Sequence, residues 1–366
     1  MAYSDIKDPS AHFQATTYAG DSNNSTVITN DGNSDLQPDF VWLKNRTLSG
    51  GNVSNHMLFN SSVGIGTGAN SPYIMADSTA AEATNSNGLQ AVSSDGFTPG
   101  SMTRTNQTNS NFVAWQWKAN GGTTASNTSG SITSTVQANT DAGFSIVTYT
   151  GTGATATVGH GLGVAPQIII GKRRSGSSNW WVGGSILTST QTMYLNLANA
   201  IDTVAESIIN NVTTSTTFKL GTDTNRNAAS GTHVAYCFAE KQGYSKFGTY
   251  VGNGSGTSDG TFNGPMVYTG FKPAWVMVKS ASASAGDEWV IWDNKRGTFN
   301  YNQNKLYANT TAAESGSVYD AVDFLSNGFK IRTGRAGGNT SGRTYIYMAF
   351  AENPFVTSTG VPTTAR

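Results

Sequence analysis

The sequence repeats one order of signals three times, and this repetition limits the possible folds more than any other feature. Each copy opens with a tyrosine two residues before a glycine, and then has a proline leading into an apolar run that ends in lysine. A phenylalanine after a turn and an aromatic residue that closes the last apolar run complete the pattern. The copies match by pattern rather than by identity. A repeat unit of about 110 residues predicts three copies of one domain.

The repeat signature is the set of five positions that recur in every copy. They are Tyr18, Pro38, Lys44, Phe97 and Trp117 in the first copy, Tyr149, Pro166, Lys172, Phe218 and Phe238 in the second, and Tyr250, Pro273, Lys279, Phe329 and Phe350 in the third. Proline fixes its own φ and has no N–H to donate, so it suits the start of a strand. Each apolar run after a proline is therefore predicted to be a buried strand.

The fold class follows from the turn residues between these runs. The chain has 42 glycines in 366 residues, which is rich for a globular protein and indicates many turns and short strands. We predict an all-β protein of three tandem β-sandwich domains, of the jelly-roll or concanavalin-like type. Thr79 with Glu82, and Thr311 with Glu314, have capping-box spacing and predict one short helical turn per copy. Gly96 and Gly328 are expected to adopt positive φ.

The boundaries between the copies follow from composition. The composition predicts repeat 1 at residues 1–122, a polar linker at 123–140, repeat 2 at 141–247, repeat 3 at 248–355 and a C-terminal tail at 356–366. A linker rich in Gly, Ser and Thr is flexible or extended. The first copy is therefore expected to hinge, and the second and third to pack as one stiff rod.

Charge and cysteine usage exclude several classes of protein. Charged residues make up 12% of the chain, and acids and bases balance at 22 each, so nucleic acid and anionic membranes are unfavourable partners. Cys237 is the single cysteine, and the sequence contains neither an export signal nor an apolar stretch long enough for a membrane helix. Assembly in a reducing cytoplasm is expected.

The residues give little support for catalysis, and we predict that the protein is not an enzyme. The nearest pair of candidate acids, Glu288 and Asp293, lies on one predicted strand at a spacing that places the two side chains on opposite faces. Glu240 and Glu352 are expected to form structural ion pairs or to protect sheet edges. No catalytic or metal-binding residue is assigned and no cofactor is expected, although the loops after Gly20 and Gly252 carry oxygen groups that Ca²⁺ accepts.

Three sequence segments of the third copy are recognisable: GTFNGPMVYTGFKPAWVMVK, EWVIWDNKRG and TYIYMAFAENPF. These segments resemble a family of repeat-domain virion proteins of marine tailed bacteriophages. The resemblance implies a virion structural protein on the particle surface, a tail fibre or appendage that takes part in host adsorption. It further implies a homotrimer that contacts other virion proteins, and a host-surface glycan or protein as receptor.

Two alternatives stay open from the sequence. One is a head (capsid) decoration protein without a receptor role, and the other is a glycan-binding or glycan-cleaving module. The first copy departs most from the repeat pattern, which suggests that it docks to the particle. A chain lacking residues 1–122 would then be expected to fold and yet fail to join the particle.

Overall fold

The computed structural model describes residues 4–47, 54–65, 70–255, 262–282, 287–316, 320–334 and 337–353. These residues form an all-β structure of antiparallel sheets, as predicted, with very little helix. None of the described helices is long and apolar enough to cross a membrane. The predicted tail at 356–366 lies outside the described residues.

The first copy is a sandwich of two sheets. Its main sheet has six strands in the order β1-β9-β3-β4-β5-β6, which are β1 (Phe13–Ala19), β3 (Phe40–Asn45), β4 (Met57–Asn60), β5 (Ser71–Met75), β6 (Ala83–Asn85) and β9 (Asn111–Trp117). Its outer sheet, in the order β2-β8-β7, comprises β2 (Ile28–Thr29), β7 (Leu89–Ser93) and β8 (Gly96–Pro99). A 3₁₀ turn (Pro9–Ala11) precedes β1, and α1 (Thr103–Asn106) precedes β9.

The second copy repeats this plan with two extra strands. Its eight-stranded main sheet has the order β10-β11-β12-β19-β14-β15-β16-β17, with β10 (Ala125–Asn127), β11 (Ser134–Asn139), β12 (Phe144–Thr150), β14 (Ile168–Arg173), β15 (Trp181–Gly183), β16 (Gln191–Tyr194), β17 (Asp202–Thr203) and β19 (Thr232–Phe238). The outer sheet pairs β13 (Ala156–Gly159) with β18 (Thr217–Leu220). The helices α2 (Glu206–Ile209) and α3 (Thr224–Asn227) flank β18.

The third copy returns to six strands in its main sheet, in the order β20-β28-β22-β23-β24-β25. They are β20 (Ser245–Val251), β22 (Trp275–Ser280), β23 (Val290–Asp293), β24 (Asn304–Tyr307), β25 (Ser315–Gly316) and β28 (Thr344–Phe350). Its outer sheet, in the order β21-β27-β26, contains β21 (Met266–Tyr268), β26 (Val322–Leu325) and β27 (Gly328–Ile331).

Each main sheet is covered on both faces. One face packs against the outer sheet of its own copy, around Phe97, Phe218 or Phe329. The other face joins a single apolar cluster to which all three copies contribute. A strand covered on both faces needs apolar residues at successive positions rather than at alternate ones. This explains why β3 and β22 are buried along their whole length.

The shared cluster lies on a pseudo-threefold axis. Trp117, Phe238 and Phe350 close the last strand of their copies, and their rings contact one another pairwise at centroid distances of 6.3, 5.6 and 5.8 Å. Contacts between different copies therefore form part of the same core as contacts within a copy. The first copy packs into this core, which differs from the hinged arrangement that the linker composition predicts.

The region predicted as a polar linker, residues 123–140, holds β10 and β11, which extend the main sheet of the second copy. Backbone hydrogen bonds to neighbouring strands satisfy the N–H and C=O groups of these two strands and hold the segment in place, so its polar side chains do not make it flexible. The predicted start of the third repeat at residue 248 falls inside β20, which begins at Ser245.

Two local predictions need correction. Residues 79–82 and 311–314 do not form helical turns, because Glu82 and Glu314 are used in contacts with a neighbouring copy. Gly96 has the expected positive φ of +116°, but Gly328 does not. A side chain at Gly328 would meet the carbonyl oxygen of Val267 at 2.0 Å, so close backbone approach requires glycine there.

Candidate functional site

The repeat signature forms the framework of the molecule, and its residues occupy equivalent places in all three copies. The three prolines stand two residues before β3, β14 and β22, close to the predicted strand starts. The three phenylalanines lie on β8, β18 and β27 and fill the outer cores. The remaining signature positions, the tyrosines and lysines, make polar contacts that the sequence pattern did not specify.

The signature tyrosines, on β1, β12 and β20, tie these strands to the segment before the last strand of each copy, which is α1 in the first copy, α3 in the second and a loop in the third. The hydroxyl of Tyr149 donates to the carbonyl oxygen of Arg226 at 2.6 Å, and that of Tyr250 donates to Gly338 at 2.7 Å. Tyr18 makes the equivalent bond to Thr105. Burial raises the pKa of all three hydroxyls, so they remain donors.

A buried asparagine in each copy completes this junction, and the sequence reasoning missed it. Asn106, Asn227 and Asn339 each stand five residues before the last strand of their copy, and all three are almost fully buried. Each side-chain oxygen accepts from the loop after the first strand, through the N–H of Asp21, Thr152 or Asn253. The constant spacing was the signal available in the sequence.

The signature lysines connect neighbouring copies. Lys44 donates to the carbonyl oxygen of Thr311 at 3.1 Å, Lys172 to that of Thr79 at 2.9 Å and Lys279 to that of Ala198 at 3.0 Å. The first copy thus contacts the third, the second contacts the first, and the third contacts the second. This cyclic order defines the pseudo-threefold arrangement. Burial lowers the pKa of each lysine to about 8.

Arginine–glutamate pairs reinforce two of the three contacts between copies. Arg46 pairs with Glu314 and Arg174 with Glu82, both at 2.7 Å and both through two nitrogens of the guanidinium. Backbone bonds run beside them, from Glu314 N–H to Arg46 and from Glu82 N–H to Arg174. At the third contact the N–H of Ile201 donates to Ala281, so an uncharged pair replaces the ion pair.

We expect a double-mutant cycle on Arg174→Ala and Glu82→Ala to give a coupling energy of about 1–2 kcal/mol. This coupling energy lies between the values typical of exposed and of buried ion pairs, because both side chains are mostly covered and the contact is bidentate. Urea unfolding of the four proteins measures it. The variant carrying Arg174→Ala with Glu82→Ile copies the third contact and should stay within about 1 kcal/mol of the parent. No measurable coupling would contradict a stabilising role.

The carboxylates considered for catalysis have structural partners. Asp293 is fully buried and accepts from Trp115 Nε1 of the first copy at 2.8 Å and from Arg296 Nε at 2.6 Å. A substrate cannot reach it, so Glu288 and Asp293 do not form an accessible acid pair. Glu240 pairs with Lys246 at 2.7 Å. Glu352 lies 3.5 Å from Lys295 Nζ, and burial raises the pKa of its carboxyl to about 7.

Within the described residues, no group of three or more His, Cys, Asp and Glu side chains is placed to hold a metal ion. In the loop after Gly20, Asp21 accepts hydrogen bonds from Thr26, Asn23 and Asn106, and these bonds lower its pKa. The loop after Gly252 runs into residues 256–261, which lie outside the described part. Calcium binding stays a prediction.

Two of the surface cavities in the described part of the chain lie away from the core. One of about 310 Å³ is lined by residues that include Asp8, His12, Asp141 and Lys241. The other, of about 370 Å³, is lined by Ser245–Lys246 and Tyr268–Gly270 of the third copy and by Glu240, Gln242 and Gly243 of the segment before β20. Five of the eight exposed large apolar side chains in the described residues also belong to the third copy: Val251, Met266, Tyr268, Phe299 and Tyr301.

Comparison with known proteins assigns the chain to a family. No functionally curated protein matches the chain. Among solved structures, the major capsid protein P2 from Bacteriophage PM2 aligns with a TM-score of 0.19 and 13% identity, over 56% of this chain and 96% of that chain. Likeness at this level does not identify a shared fold. The profile of the family described as Domain of unknown function (DUF7483) matches residues 8–354, across all three copies, and the chain belongs to this family.

Proposed function

We propose that the protein is a structural component of a bacteriophage particle, and that it acts as a tail fibre or other appendage in host adsorption. The observation that carries the proposal is the pseudo-threefold body built by one chain through cyclic contacts. Such a body presents three similar faces and is suited to an assembly built on symmetry axes. The resemblance of the third copy to phage virion proteins agrees with this function.

The surface chemistry fits a particle protein. Few charged residues are present, and the stabilising groups are aromatic rings buried around the axis rather than exposed ion pairs. Salt weakens exposed ion pairs, whereas the stabilisation that comes from burying apolar groups does not depend on ion pairs. A protein stabilised in this way tolerates sea-water ionic strength.

Adsorption to a host glycan has candidate contacts in the third copy. The side chains of Phe299 and Tyr301 are 84% and 44% exposed, and they stand close together in the loop before β24. Exposed rings of this kind provide stacking surface for sugars or an apolar contact for protein receptors. A glycan-binding role is included in the proposal; of the acid pair considered for glycan cleavage, Glu288 and Asp293, the second is fully buried.

Labelling of intact particles with an antibody against residues 248–355, viewed by electron microscopy, tests the location. Label confined to tail appendages is the expected result. Label spread over the head would overturn the fibre proposal in favour of a decoration protein. Native mass measurement tests the proposed homotrimer, which should have three times the 38.4 kDa mass of one chain. A monomer would mean that the single-chain body is the complete unit.

A further inference from the structure

One edge of the second copy is closed by the segment that precedes it. The strand β11 pairs antiparallel with β12, with Ala138 opposite Ser145. The same segment reaches the outer sheet, where Ile132 pairs with Val158 of β13 and Ser131 bonds to Thr157. Residues 125–139 therefore cover the edges of both sheets at once.

The corresponding edge of the third copy is open. The strands β20 and β21 are edge strands of their sheets, and β20 is equivalent to β12 because Tyr250 matches Tyr149. Lys241 bonds to both backbone groups of Ser245. The alternation of an antiparallel ladder turns the backbone groups of Phe247, Thr249 and Val251 away from β28. No strand pairs with them in the described part of the chain.

The first copy has contacts of a different kind at the equivalent strand, β1. Gln14 of β1 donates to the carbonyl oxygen of Ser34 at 2.7 Å and accepts from Gly32 N–H at 2.8 Å. Thr16 donates to Asn30 at 2.8 Å. The loop after β2 therefore packs against side chains of β1, which like β20 is an edge strand of its main sheet.

The cavity of about 370 Å³ occupies this open edge, and the second copy indicates what would fill it. Tyr268 and Gly270 of the cavity wall correspond to Gly159 and Gly161. A Cβ placed on Gly161 would lie 2.9 Å from a methyl group of Val136 and 3.2 Å from Cβ of Ala138. In the second copy, two small aliphatic side chains of the covering strand thus pack over Gly161, whereas in the third copy the ring of Tyr268 lies beside Gly270 and the cavity remains next to it.

We propose that the edge formed by β20 and β21 binds an extended strand from a partner polypeptide. The strand runs antiparallel to β20, carries no charge, and places small aliphatic residues at alternate positions into the cavity. Its backbone pairs with Phe247, Thr249 and Val251, which is the recognition mode of strand addition. Binding would cover Val251 and Met266, which are 58% and 44% exposed.

A second copy of β20 is a poor occupant of the same edge. The face of β20 that points toward the outer sheet carries Lys246, Gly248 and Tyr250. Pairing of two such strands would present a lysine and a tyrosine to the cavity, where the second copy uses valine and alanine. An uncharged strand like residues 134–139, STVQAN, fits this edge better than a second copy of β20 does.

The test uses the full chain and a fluorescent peptide with the sequence of residues 123–140. Saturable binding of one peptide per chain is expected. Thr249→Pro removes an outward N–H on an edge strand, where proline is tolerated, and should weaken binding at least tenfold. The matched control is Thr17→Pro, the equivalent position on β1, which should leave binding unchanged. Equal binding by the two variants, or no binding to the parent, would overturn the proposal.

A second measurement is independent of the proline variants. Lys246→Cys in the chain should form a disulfide with a peptide carrying Ala138→Cys, because the equivalent residues face each other in β11 and β12. Gln90→Cys, on the outer sheet of the first copy, is the control and should not react selectively. Failure of the Lys246→Cys chain to react faster than this control rejects the strand register. Concentration-dependent self-association abolished by Thr249→Pro would identify a second copy as the occupant and would also reject the proposal.

Discussion

Replacing Trp117 with alanine is expected to lower the free energy of unfolding by about 3–5 kcal/mol, the usual range for loss of a large buried aromatic. Trp117 is 1% exposed, and its ring contacts Phe238 of the second copy and Phe350 of the third. Because the cavity would open at the point where all copies meet, the loss should affect the whole chain. Urea unfolding followed by fluorescence and by circular dichroism should show one transition, shifted to lower urea.

Phe299→Ala provides the control for this prediction. Its ring is 84% exposed, and its removal should change the free energy of unfolding by less than about 0.5 kcal/mol. The shared core would be contradicted if Trp117→Ala produced two transitions of which only one moved. That result would mean that the first copy unfolds as an independent domain.

The sequence was sufficient to predict the strands and their repetition, because each depends on local signals. Proline before an apolar run, glycine at tight turns and tyrosine at the end of the first strand act within a few residues. The fold class and all fifteen signature positions follow from such signals. Their common feature is that each can be recognised from its near neighbours in the sequence, although the signature lysines and closing aromatic residues also contact other copies.

The arrangement of the copies was harder to predict, although the sequence contained part of the signal. The prediction assumed two-layer sandwiches, in which one face of a sheet meets water and alternates with the apolar face. The strands β3 and β22 do not alternate, and the adjacent Trp180 and Trp181 are both buried, one in the central core and one in the outer core. Continuous apolar runs indicate a sheet covered on both faces.

The contacts between copies lie beyond what local pattern can supply. Thr79 and Glu82 have the spacing of a capping box, and the same two residues serve instead to contact Lys172 and Arg174. Nothing in the spacing distinguishes the two uses, because the partners are about ninety residues away and belong to another repeat. The polar linker was likewise misinterpreted, since its pairing partners lie on β12 and β13.

Deleting residues 1–122 is expected to abolish native folding of the remaining chain. The deletion removes Phe40, Trp115 and Trp117 from the shared cluster and exposes Tyr236, Trp275 and Phe350 to water. A sandwich domain with its own complete core would tolerate the loss, as the linker composition had suggested. A body with one central core should not, because apolar burial is the dominant favourable term in folding. Near-ultraviolet circular dichroism and size-exclusion chromatography should report a loosely packed or aggregated protein.

A nicked chain separates the loss of packing from the loss of covalent connection. A protease site inserted between the exposed residues Thr123 and Thr124 allows the chain to be cut after it has folded. The two pieces should remain together through the central core, and the cut protein should keep the spectrum of the intact one. A deletion variant that folds as a monomer, or cut pieces that separate without denaturant, would show that the first copy is an independent domain. Co-elution of the cut pieces with failure of the deletion variant would show that the repeats became one folding unit by sharing apolar surface around the axis.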